Sequence, residues 1–298
     1  MHPKLIKLET TFNKSVLAKI NNAMLDYYGI ELWMKRDDLL HPVISGNKWR
    51  KLKYSLDHAL SLDVDTVISM GGAYSNHLHA LAYAGNAIGL KTIGLIRGEQ
   101  PETLTPTLMD MKNWGMKLKF VSRSEYRTLR QYQGSFDLPG LKPNQYWLPE
   151  GGAQALALKG LAELIAEIEV PHDVVCVSCG TGATLAGIID AVPEDISVVG
   201  FAAFKNAGFL TDDITRLLSR NCNNWRINLD YHFGGFAKTT TELISFINEF
   251  ELNTSIPLEP VYTGKMMYGL YDLLHRQYFK RGQRIIAVHT GGLQGKRK

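Results

Sequence analysis

The chain has 298 residues, 45% of them hydrophobic and 21% charged, with a formal net charge of +4; this is a globular composition, long enough for one large or two modest cores. The mild basicity suits an anionic small-molecule ligand, and the absence of a Lys/Arg block interleaved with aromatics argues against nucleic acid as a partner. Three cysteines cannot build a disulfide framework in a chain this long, residues 1–7 lack the apolar core of a secretory signal, and no run of about 18 apolar residues suggests a membrane span, so a reducing, cytoplasmic location is expected.

In chain order, the first informative segment is Ser45-Gly46-Asn47-Lys48-Trp49-Arg50-Lys51-Leu52. Leu52, Leu56, Ala59 and Leu60 fall on one face, which predicts a helix running on from it. A lysine amine attacks aldehydes only when neutral. Its pKa, roughly 10.4 in water, must then be lowered by burial or by neighbouring cations. Arg50 and Lys51 offer such a field, and Gly46 lets the backbone approach a ligand closely. Two readings stand: a Schiff-base lysine carrying pyridoxal phosphate, or the basic first turn of an amphipathic surface helix.

Strands are predicted over residues 66–70, 91–96, 117–121, 145–148, 173–177, 197–201 and 284–289, each short, apolar and bounded by turn residues. Helical patterns lie between them, for example Leu161, Leu164, Ile165 and Ile168 on one face. Apolar strands alternating with helices predict an α/β fold of two open, twisted, mostly parallel sheets covered on both faces. Residues 51–152 are expected to form a smaller domain. Residues 1–50 and 153–298 are expected to form a larger, cofactor-binding one, with the ligand in the cleft between them. Turn-rich stretches at 139–143 and 149–152 mark the crossing.

Polar, glycine-bearing loops follow several strands. Gly71-Gly72-Ala73-Tyr74-Ser75-Asn76-His77 precedes a helix over 78–88; Ser75 and Asn76 either cap that helix or bind a substrate carboxylate there. Ser178-Cys179-Gly180-Thr181-Gly182-Ala183-Thr184 opens a helix, and its glycines, hydroxyls and helix N-terminus suit a phosphate. It has neither the lysine of a Walker A loop nor the dinucleotide glycine spacing. A glycine-rich helix start without a ligand is the other reading. Cys176 and Cys179 lie on a predicted buried strand with no second Cys/His pair, so a structural role is expected and no metal site. Near the C-terminus, Val261-Tyr262-Thr263-Gly264-Lys265 precedes a helix and Val288-His289-Thr290-Gly291-Gly292 follows a strand.

Together these segments resemble the pyridoxal-phosphate-dependent family of D-cysteine desulfhydrase and 1-aminocyclopropane-1-carboxylate deaminase, which has the tryptophan-synthase-β-like fold (fold type II). The resemblance runs through Lys35-Arg36-Asp37-Asp38, Gly46-Asn47-Lys48, Gly71-Gly72 with Ser75-Asn76, Pro149 with Gly151-Gly152, the run 180–187, Pro260 to Lys265, and His289 to Gly292. It implies that Lys48 forms the Schiff base and moves protons at the substrate α-carbon. Asn76 would bond the cofactor's ring oxygen, and Lys51 with Gly180, Thr181, Gly182, Ala183 and Thr184 would hold its phosphate. Ser75, Asn76 and His77 would bind the substrate carboxylate, and Tyr262 would face the substrate. In the deaminase a glutamate follows that tyrosine and pairs with the ring nitrogen. Here the residue is Thr263, with Thr290 as a second hydroxyl. Phe236 stands where both namesakes carry another tyrosine.

The resemblance therefore implies a pyridoxal-phosphate lyase of a small amino acid, with D-cysteine-type α,β-elimination favoured over cyclopropane opening, and a homodimer. A non-catalytic cofactor carrier or sensor is the rival from another class. A cofactor-free phosphate binder using only the Gly180 loop is a third reading.

Overall fold

The computed structural model describes residues 1–296; Arg297 and Lys298 lie outside the described residues. The chain begins α1 (Pro3–Glu9), β1 (Val16–Ile20), α2 (Ala23–Tyr28), β2 (Glu31–Arg36), α3 (Asn47–Ser61), β3 (Thr66–Gly71), α4 (Asn76–Ile88) and β4 (Lys91–Arg97). It continues α5 (Pro106–Asn113), β5 (Lys117–Val121), α6 (Arg123–Leu129), β6 (Gln145–Leu148), α7 (Ala155–Ala166), β7 (Val174–Cys179) and α8 (Ala183–Ala191). It ends β8 (Ser197–Ala202), α9 (Leu210–Leu217), β9 (Trp225–Asn228), α10 (Thr241–Thr254), α11 (Thr263–His275) and β10 (Arg284–Val288).

Two sheets form, as expected. One has four parallel strands in the order β5-β4-β3-β6; the other has six, β1-β2-β10-β7-β8-β9, parallel except at antiparallel β1. The interior strands β3 and β7 are buried at every position, which is why they read as continuous apolar runs. Side-chain alternation sends each sheet's residues into two cores. Val67, Tyr146 and Leu148 join one cluster, Ile68, Met70 and Trp147 another. In the larger sheet Val174, Cys176 and Ile285 face α10 and α11, while Val175, Val177, Cys179 and Ile286 face α8 and α9.

All seven expected strands are present, within two residues at each end. Three others escaped the sequence reading. β1 is half exposed, β9 is a four-residue edge strand, and β2 carries Glu31, Lys35 and Arg36. Lys35 is nonetheless fully buried, because its ammonium reaches Glu167 at 2.7 Å.

Parallel strands deliver their following loops to one edge. In the larger sheet, the segments after β2, β7, β8 and β10 leave at the same edge; in the smaller one, those after β3 and β6 do. The two edges meet. A β-carbon on Gly151 would lie 2.8 Å from Thr181, and one on Gly292 would lie 3.0 Å from Asn76. These loops meet between the two sheets.

Candidate active site

Lys48 stands in the first turn of α3, after a loop with little freedom. Gly46 has φ 68°, and a β-carbon there would sit 1.9 Å from the Thr290 carbonyl oxygen; only glycine fits. The Gly46 N–H donates to the Asp37 carbonyl at 2.9 Å and the Asn47 N–H to the Thr290 carbonyl at 3.3 Å. Asp37, fully buried, accepts from Arg50 at 2.6 and 2.9 Å and from the Ser15 hydroxyl at 2.6 Å. Arg50 and Lys35 also converge on Glu167. The expected field of Arg50 over Lys48 is thus corrected: its guanidinium is committed to two carboxylates and anchors the loop. The Lys35-Arg36-Asp37-Asp38 run supplies this anchor.

Burial, opposed by the Glu259 carboxylate, lowers the Lys48 amine to about 8. Its ammonium donates to Asn47 Oδ1. Lys51, one turn further along α3, is pushed well below the usual lysine range by burial and then by Lys48, with Glu150 opposing. His77 is held neutral by burial and by both lysines. Its Nε2 meets the Ser69 hydroxyl at 2.9 Å, while Nδ1 is buried without a partner among the described residues. A half-buried amine, a buried one and an unpartnered imidazole nitrogen converge here with no hydrogen-bonded acid beside them. Such a cluster suits an anion.

The glycine loop lies next to this cluster. Gly182, at φ 79°, precedes α8, whose first residues Ala183 and Thr184 are buried. The Thr184 hydroxyl accepts from Asn47 Nδ2 at 2.6 Å, tying the lysine turn to the α8 N-terminus. Thr181 packs against Gly151. A β-carbon on Gly180 would lie 3.2 Å from the Tyr262 ring, so this glycine makes room for the tyrosine as well as exposing backbone.

Thr263, Gly264 and Lys265 lie inside α11; the expected loop ends at Tyr262, the cap residue. The cause is Glu259, which the sequence reading missed. Its buried carboxylate accepts from the N–H groups of Val261, Tyr262 and Thr263 at 2.7, 2.9 and 2.5 Å, and from the Thr263 hydroxyl at 3.1 Å. It satisfies the free donors of the helix start and places a negative charge where the helix dipole favours one. An acid just ahead of a proline and an apolar helical stretch was the available signal. Burial raises the Glu259 carboxyl despite these donors, and burial with Glu259 raises the Tyr262 phenol, which stays protonated.

The other expected residues fall around the same cleft. The Thr290 hydroxyl pairs with that of Ser178 at 3.2 Å. Ser75 caps α4, its oxygen accepting from the Leu78 N–H at 3.2 Å, whereas Asn76 is the first helical residue and accepts from Gln294 at 2.7 Å. Phe236 is exposed, with its ring centroid 6.0 Å from that of Tyr262. Cys176 and Cys179 project from opposite faces of β7 into separate cores, and burial pushes both thiols up to about 12. Strand parity therefore excludes them as a joint site.

A partly neutral lysine, a second buried amine, an unpartnered imidazole nitrogen and a glycine loop at a helix N-terminus fit a phosphate-bearing aldehyde. The comparisons agree. A Pyrococcus horikoshii protein named "Putative 1-aminocyclopropane-1-carboxylate deaminase" is 32% identical, over 99% of this chain and 96% of its own length. The mitochondrial bifunctional D-cysteine desulfhydrase/1-aminocyclopropane-1-carboxylate deaminase of Arabidopsis thaliana is 31% identical, over 90% of this chain and 73% of its own. A crystal structure of an ACC deaminase homologue superposes with a TM-score of 0.80 at 29% identity, covering 99% of this chain and 97% of that one. The family model described as "Pyridoxal-phosphate dependent enzyme" matches residues 20–291, nearly the whole span from β1 to the loop after β10, and the chain belongs to that family.

Proposed function

We propose that this enzyme is a lyase of a small amino acid, carrying out α,β-elimination of the D-cysteine type to give an oxo acid, ammonia and sulfide. The observation that carries the reading is Lys48, an amine lowered to about 8 beside the anion-receptive cluster of Lys51 and His77.

Bound pyridoxal phosphate supplies an aldehyde for amines and an electron-withdrawing ring. Lys48 would hold that aldehyde and would move the proton at the substrate α-carbon. Lys51 and the N-terminus of α8, from Gly180 to Thr184, would hold its phosphate, and Asn76, Thr263 and Thr290 would offer its ring hydrogen-bonding groups. The Ser75 hydroxyl accepts from Leu78, which leaves its proton for a substrate carboxylate beside the N–H groups of Asn76 and His77. Tyr262 keeps its proton and offers a donor toward the substrate. Phe236 gives that side an apolar edge.

Thr263 favours elimination over ring opening. Its hydroxyl is a neutral group, and the nearby Glu259 carboxylate is already engaged by the first turn of α11. No free carboxylate is left there to hold a proton on the cofactor ring, and loss of a good β leaving group needs less electron withdrawal than opening a cyclopropane. Relatives bear names of both activities.

An absorbance screen of the purified protein against D- and L-amino acids tests the assignment, with sulfide followed for D-cysteine and oxo acid for 1-aminocyclopropane-1-carboxylate. Oxo acid from the cyclopropane substrate alone would overturn the elimination reading. A homodimer and a cytoplasmic location belong to the same proposal, as does a division into residues 51–152 and the remainder. Leu5 and Leu8 of α1 share a hydrophobic cluster with Val67, Tyr146 and Leu148 of the smaller sheet. No described helix is long and apolar enough to cross a membrane.

A further inference from the structure

Lys265 takes no part in the chemistry above, yet its side chain is buried in the third position of α11. Its ammonium donates to three carbonyl oxygens: Ala203 at 3.1 Å, just past β8, and His232 and Gly235 at 3.0 and 2.8 Å in the loop between β9 and α10. Three donors meet three acceptors, so the ammonium is fully used. Burial lowers the Lys265 amine to about 8, with the Glu259 charge opposing, and the three carbonyls replace the hydrogen bonds that burial takes from water.

The loop it grips has a strained backbone. Phe233, Gly234, Gly235 and Ala237 all have positive φ, at 52°, 88°, 132° and 55°. For the two non-glycine residues this conformation is unfavourable and needs outside support. Between them stands Phe236, edge-on to Tyr262. Tyr262 in turn packs against Gly180 of the glycine loop. A continuous line of contacts therefore runs from the Lys265 ammonium through the loop to Phe236, then Tyr262, then the phosphate-binding turn.

We propose that Lys265 is a positioning residue, a latch that fixes loop 232–237 and so holds Phe236 against Tyr262 as the substrate-side wall of the site. The inference rests on the reading of Tyr262 as substrate-facing.

The test is Lys265→Met in the holoenzyme, which keeps the aliphatic stem and removes all three donors. Trypsin cleavage after Lys238, exposed in the same loop, should quicken by about tenfold or more as the loop opens. Cofactor affinity, read by absorbance, should stay within about twofold, while KM for the amino acid that turns over rises about tenfold and kcat changes by less than about threefold. Phe236→Ala should raise KM similarly, and the double variant should add little to either single change. Unchanged cleavage and KM would overturn the latch. So would a parallel loss of cofactor and kcat at constant KM, which marks a merely structural lysine. If K265M does not fold, Lys265→Gln, whose shorter side chain keeps two donors, is read by the same measurements. If no amino acid turns over, the functional reading fails, and the cleavage and cofactor measurements still decide the latch.

Discussion

The lowered Lys48 amine can be tested without any substrate. An ordinary lysine at pH 7 is neutral in roughly four molecules per ten thousand. With the pKa at about 8, the neutral fraction rises to about one in ten, a gain of roughly 200-fold in nucleophile. Below that pH the reactive form should fall about tenfold per unit. The assay is trace acetylation of the cofactor-free protein across a pH series, with the peptide bearing Lys48 quantified against one bearing the exposed Lys238. The Lys48 midpoint should lie near 8, some two units below the roughly 10.4 of a lysine in water. Because Glu259 opposes the lowering, Glu259→Gln should move the midpoint further down. A Lys48 midpoint at the ordinary lysine value would refute the reasoning, as would an upward shift in E259Q. Lys48→Ala should abolish covalent uptake of pyridoxal phosphate while leaving weaker, non-covalent binding.

Other outcomes follow from the same geometry. Asp37→Ala leaves the Arg50 guanidinium with Glu167 alone; thermal unfolding of the cofactor-free protein should show a loss of about 3–5 kcal/mol. Gly46→Ala drives a methyl into the Thr290 carbonyl at a positive φ, and cofactor titration should show weakened binding together with a lower melting temperature. Thr263→Glu sets a second carboxylate beside Glu259; it should destabilise the protein, and adding Glu259→Gln should restore part of that loss. If the ring environment decides the reaction, the double variant should raise the ratio of cyclopropane-substrate turnover to D-cysteine turnover relative to the parent.

The segments that were readable in advance share a property. The strands over 66–71 and 174–179 are buried on both faces and announce themselves by composition, and Gly46, Gly180 and Gly182 are needed for local backbone reasons. Glu259 was missed because its importance lies in where α11 begins, which depends on how residues 259–263 turn. Arg50 was assigned to the wrong partner because sequence adjacency to Lys48 suggested a field, while Asp37 and Glu167, 13 and 117 residues away, claim its guanidinium. The glycine loop at residues 180–184 and Lys48 are likewise far apart in sequence, and an Asn47–Thr184 hydrogen bond links them.

The sequence by itself determined the alternation of strand and helix, the glycine loops at strand ends and a lysine set among cations. These follow from side-chain periodicity and backbone sterics, which act over a few residues. Tertiary structure decided which charges meet. It brought half-buried Lys48 and buried Lys51 together, gave Arg50 to Asp37, tied Thr263 to Glu259 and put Cys176 and Cys179 on opposite faces of one strand. The physical reason is that pKa and reactivity depend on solvent exclusion and on charges within a few ångströms, and only the folded chain sets those distances.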